Sequence, residues 1–116
     1  MRHFLVTMIL EASREEIGPR RFVQHDFHFR AGYDLGLFLL YGPFDPPRGF
    51  LAIARCESSR TLDRFLEKDP LLADHLARVE IREFKPIRFP ETLRGWVHPL
   101  DFAMGPNNGG YPAAYI

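Results

Sequence analysis

Hydrophobic positions change their spacing several times along the chain, and each change predicts a new element. Residues 3–10 are apolar on both parities, with Phe4, Val6, Met8 and Leu10 on one side and Leu5 and Ile9 on the other. That pattern predicts a strand covered on both faces. Ser13 and Glu16 have capping-box spacing, but Pro19 follows too closely for one continuous helix. A short turn and then a longer helix with Pro19 in its first turn are expected. The longer helix is expected to carry Phe22, Val23, Phe27, Phe29 and Tyr33 inward and to stop near Gly36. Residues 37–41 read as a second strand running into a Gly/Pro-rich loop over 42–47, and residues 50–56 as a third strand at hairpin distance. Ser58 or Ser59 caps a helix bearing Leu62, Phe65 and Leu66, and Asp69-Pro70 restarts a short helix through Leu71, Leu72 and Leu76. Residues 79–89 read as a last strand whose broken alternation (Val79 and Ile81, then Phe84) suggests a bulge near Arg82.

The resulting order, βαββαβ, predicts an α+β ferredoxin-like protomer with a four-stranded antiparallel sheet. Two helical layers cover only one face of such a sheet, yet the first three strands are apolar on both. The economical cover is the same face of a second copy, giving a homodimer through the sheet face. The alternative is that the C-terminal segment folds back over it. Residues 1–90 are taken as the domain and residues 91–116 as a Gly/Pro-rich tail. The tail carries Trp96, Phe102, Tyr111 and Tyr115, which suit a segment lying along a surface.

Composition narrows the partners. The 116 residues are 46% hydrophobic and 26% charged, and fifteen basic residues balance fifteen acidic ones. This balance gives no long-range attraction to nucleic acid or to an anionic membrane. The run over residues 4–10 is short for a signal peptide and ends in Glu11, and no other stretch is long enough to span a membrane. Cys56 is the single cysteine, so no internal disulfide forms; a cytoplasmic location is expected.

His25 is the first candidate for chemistry. Phe22 at i−3 and Phe29 at i+4 place it on the greasy face of its helix, where it is either a packed core histidine or a proton-transfer group. Asp69 before Pro70 is the pattern of a helix N-cap with proline at N1, with no chemistry required. His28 lies one turn from His25, but two ligands are too few, and Asp69 or His75 would have to complete a metal site; no metal is expected. Arg20 and Arg21 read as a solvated helix edge, although Arg21, at i−4 from His25, is placed to hold a substrate carboxylate. Gly42 allows a ligand to approach the main chain, and Pro43 stiffens the strand's exit. The glycines at 105, 109 and 110 match neither a dinucleotide fingerprint nor a P-loop, and no cofactor is expected.

The order and spacing of these features resemble a known family. His25 eleven residues before Gly36, the strand ending Tyr41-Gly42-Pro43, the glycine-led strand from Gly49, the Ser-initiated helix, Asp69-Pro70 and the strand ending Phe84-Lys85-Pro86 are together similar to the YCII-related (DGPF) family. The resemblance covers about residues 3–90. It implies a dimeric α+β barrel built from ferredoxin-like protomers, with His25 and Asp69 as a catalytic dyad and Gly42-Pro43 beside the ligand. Relatives often carry arginine where this chain has Phe22, and a small or acidic residue where it has Tyr41. The resemblance thus implies a small-molecule enzyme using general acid/base chemistry, of isomerase or dehalogenating lyase type. The alternative is a non-catalytic ligand-binding or accessory domain.

Overall fold

The computed structural model describes residues 1–99. The chain runs β1 (Arg2–Leu10), α1 (Arg14–Ile17), α2 (Pro19–Asp34), β2 (Phe38–Pro43), β3 (Gly49–Cys56), α3 (Ser59–Leu66), α4 (Pro70–Ala73) and β4 (Ala77–Phe84). A 3₁₀ turn (Glu91–Leu93) and α5 (Arg94–Val97) follow. The strands form one sheet in the order β2-β3-β1-β4, with every neighbouring pair antiparallel. This is the ferredoxin-like α+β arrangement, with α1 to α4 packed on one face.

Local chemistry explains the breaks. Ser13 and Glu16 close a reciprocal capping box around α1, and Gly18 (φ 80°) turns the chain into α2 at Pro19. Gly36 (φ 81°) takes the left-handed turn after α2. Ser58 caps α3 by accepting from the Thr61 N–H.

Phe4, Val6 and Met8 of β1 sit opposite Ala54, Ala52 and Phe50 of β3, and Val6 and Met8 face Ile81 and Val79 of β4. This face meets Phe29, Phe38, Leu62, Leu66 and Leu71 in the core. Two glycines allow the close approaches. A Cβ on Gly32 would lie 2.7 Å from the Phe38 ring, so α2 rides directly on β2. A Cβ on Gly49 would lie 2.1 Å from the Met8 carbonyl oxygen, so β3 passes tight against β1.

Three expectations are corrected. Of the side chains expected inward on α2, Phe29 is buried and Phe22 half-buried, but Val23, Phe27 and Tyr33 are 69%, 77% and 48% exposed. The stripe that meets the sheet is Phe22, His25, Phe29 and Gly32, and the space left by Gly32 takes the rings of Phe38 and Phe65. The last strand ends at Phe84, and its pairing with β1 is unbroken through Arg82. The irregularity lies instead in β2, between Phe38 and Leu40.

The other sheet face carries His3, Leu5, Thr7 and Ile9 beside Leu51, Ile53 and Arg55, with charged Arg78, Glu80 and Arg82 along β4. One end of it is covered by the chain itself. Trp96 packs on His3, ring centroids 5.5 Å apart, and the Arg55 guanidinium lies 5.2 Å from the Trp96 ring and donates to the Trp96 carbonyl. Burial, and then the nearby N-terminal ammonium, lower the His3 pKa, so its ring stays neutral at neutral pH. Phe102, Tyr111 and Tyr115 of the expected tail lie outside the described residues.

Candidate active site

Midway along α2, His25 is 2% exposed and held between two aromatic rings, Phe29 at 4.5 Å and Phe50 at 4.1 Å between centroids. Forty-four residues later in the chain, Asp69 begins α4 and is fully buried. The two meet: His25 Nδ1 lies 2.6 Å from Asp69 Oδ2, a short charge-assisted contact. The second carboxylate oxygen, Oδ1, accepts the Leu71 N–H at 2.8 Å. The cap and the pairing therefore coexist, one on each oxygen.

This arrangement fixes the imidazole. A carboxylate only accepts, so Nδ1 is the donor, and in the neutral ring Nε2 carries the lone pair. That Nε2 is buried and has no hydrogen-bond partner among the described residues. A buried acceptor without a partner is costly and calls for an explanation.

Beside His25 lies a hollow of about 250 Å³. Phe22, Phe50, Pro43 and Pro47 make its walls mostly apolar, and His25 contributes the buried titratable group. Gly42 also lines it, and a Cβ there would meet nothing within 4 Å. Tyr41 lies at its edge and donates to Asp26 Oδ1 at 3.3 Å. Partial burial, and then the Asp26 charge, raise the Tyr41 pKa, so the phenol remains a donor through neutral pH. A more open depression of about 570 Å³ runs along Arg30, Tyr33 and Asp34, but these groups are exposed. The buried imidazole, rather than the size of the opening, marks the site.

Of the residues singled out in the sequence, His25, Gly42 and Pro43 line the hollow, and Asp69 backs His25. Arg21 does not join them. Its Nε donates to Asp74 Oδ2 at 3.0 Å and its Nη1 to the Ile17 carbonyl at 3.1 Å, which turns it toward the end of α4. The guanidinium at the hollow belongs to Arg14, stacked 4.3 Å over the Phe22 ring with Nη1 toward the Pro47 carbonyl at 3.4 Å. Only the turn at Gly18-Pro19 brings it round, so its distance from His25 in the chain concealed it. His28 lies 2.7 Å from the Phe65 carbonyl through Nε2 and stacks on the Phe65 ring, a packing role rather than half of a ligand pair. Burial raises the Cys56 thiol pKa and its Sγ donates to the Ser58 carbonyl, so it is no ready nucleophile.

No family model matches the chain, and no curated protein does. Among solved structures the chain is similar to the 5-chloro-2-hydroxyhydroquinone dehydrochlorinase TftG from Burkholderia phenoliruptrix AC1100, determined in complex with 2,5-dihydroxybenzoquinone. The TM-score is 0.61 at 17% sequence identity, over 72% of this chain and 93% of that one. The two share an α+β fold. No helix among the described residues is long and apolar enough to cross a membrane.

Proposed function

We propose that this chain is a small-molecule enzyme of the YCII-related type, with His25 as general acid/base and Asp69 as the group that orients it. One observation carries the reading: a buried imidazole with Nδ1 held by a buried carboxylate and Nε2 unpartnered, in the wall of an apolar hollow. Asp69 fixes the tautomer and stabilises the imidazolium that forms when Nε2 takes a proton. The substrate is a compact ring or enol carrying an acidic O–H or C–H. The proton moves to Nε2, and the electron pair it leaves enters the substrate's π-system. Return of the proton to a different carbon completes an isomerisation. Departure of a halide with the electron pair, and release of the proton to water, completes a dehydrohalogenation, the type of reaction in the name of TftG.

Chloride release from 5-chloro-2-hydroxyhydroquinone and deuterium exchange into its ring C–H positions test this together, because exchange reads proton transfer even where no halide leaves. His25→Gln is expected to slow them about 10²–10⁴-fold. Equal rates in the variant and the parent protein would refute the assignment and favour a non-catalytic ligand-binding domain, to which the near-complete burial of His25 is equally suited.

We also infer that two copies meet over the second sheet face. Half-buried Leu5, Ile9, Leu51 and Ile53 lie there, with 46% exposed Leu40 beside them and the charged residues of β4 along one side. Light scattering is expected to give twice the chain mass, and Ile53→Glu a monomer; an unchanged mass in the variant counts against this face.

A further inference from the structure

The His25 hollow is not closed toward α1. A second hollow of about 370 Å³ adjoins it, and Arg14 and Pro47 belong to the walls of both. The two differ in character. The inner one is framed by Phe22, Phe50 and Pro43 around His25. The outer one adds Arg48 to Arg14, and its described lining residues include no carboxylate. Two arginines on the walls of one small concavity, with no acid among its described lining residues, suit an anion. Neither arginine is engaged in an ion pair among the described residues: Arg14 reaches only the Pro47 carbonyl and the Phe22 ring, and Arg48 is exposed with no side-chain partner.

We propose that the substrate is a two-part anion, an apolar ring seated beside His25 and a carboxylate arm crossing Pro47 to lie between Arg14 and Arg48. The proposal rests on the acid/base reading for what happens to the ring, and adds what holds the other end. Prolines at 43, 46 and 47 stiffen the wall between the two compartments, so the passage is largely formed before a ligand arrives. The carboxylate makes charge-assisted contacts in the outer hollow, which fixes the ring's position along the inner one and sets which of its atoms faces Nε2.

Calorimetric titration with benzoate, 3-phenylpropionate and uncharged 3-phenylpropanamide tests the geometry. The long acid is expected to bind about ten- to a hundredfold more tightly than its amide, the range of a hydrogen bond to a charged group. Arg48→Ala is expected to remove most of that margin while leaving benzoate, too short to cross Pro47, unaffected. Arg14→Ala is expected to weaken both acids. Equal binding of acid and amide, a margin that survives Arg48→Ala, or no binding by any of the three overturns the proposal. If it is overturned while His25→Gln still slows ring deuterium exchange, the acid/base reading stands alone. If the arginine dependence holds while exchange ignores His25, the anion site stands and the acid/base reading falls.

Discussion

Gly49→Ala is expected to leave little or no folded protein. The added methyl would lie 2.1 Å from the Met8 carbonyl oxygen and 3.1 Å from its carbon, and both are backbone atoms of a central strand. No rotamer relieves such an overlap, so β3 must part from β1 where Ile9 faces Gly49. Losses above about 4 kcal/mol are exceptional for one substitution, and this one falls in that class against a total stability of about 5–15 kcal/mol for a small domain. Circular dichroism and soluble yield measure it; a variant that melts with the parent protein would mean that the strands are not so closely paired. Gly42→Ala is the matched control. Its new methyl meets nothing within 4 Å, and Gly42 pairs with Leu51, so the methyl lies on the sheet face away from the helices; the fold should persist.

Asp69→Ala is expected to damage stability and catalysis together, and Asp69→Asn to separate them. Alanine removes the acceptor for the Leu71 N–H and strands the His25 Nδ1 proton in a buried site. Breaking a buried pair in this way costs about 3–5 kcal/mol. Asparagine keeps an oxygen for Leu71 and turns its amide N–H toward Nδ1. The ring then accepts at Nδ1, which places its proton on Nε2 and removes the lone pair from the hollow. Asp69→Asn should therefore unfold within about 1 kcal/mol of the parent protein, yet lose about 10²–10⁴-fold in turnover. An asparagine variant with full activity, or one as unstable as the alanine variant, contradicts this account. Chemical denaturation paired with the exchange assay distinguishes the outcomes.

Element order was legible in the sequence because the signals were local. Ser13, Glu16, Pro19, Gly36, Ser58 and the Asp69-Pro70 pair each punctuate the chain for a reason that needs no tertiary context. The burial of His25 was legible too, since Phe22 and Phe29 flank it at helical spacing. Its partner was not readable from periodicity. Asp69 presents as an ordinary cap, and only the family resemblance paired it with His25; the structure shows one residue meeting both demands through two oxygens.

The inward face of α2 was misread because aromatic residues occur on more than one side of it. The contact that orients the helix involves Gly32, whose missing side chain leaves no hydrophobic mark in the sequence. Arg21 stands out in the sequence because it lies four residues from His25, whereas nothing in the spacing marks Arg14. Side-chain direction and the turn at Gly18 decided otherwise, and neither is visible in spacing alone.

The position of Trp96 has a practical consequence. It is the chain's single tryptophan, and it sits against His3 and Arg55 on the sheet face away from the helices, whereas His25 lies on the helix side. Its emission is thus a built-in optical gauge of one side of the molecule. Light from that indole will register what is laid on or peeled from the far face, and stay nearly blind to a small compound entering beside the imidazole.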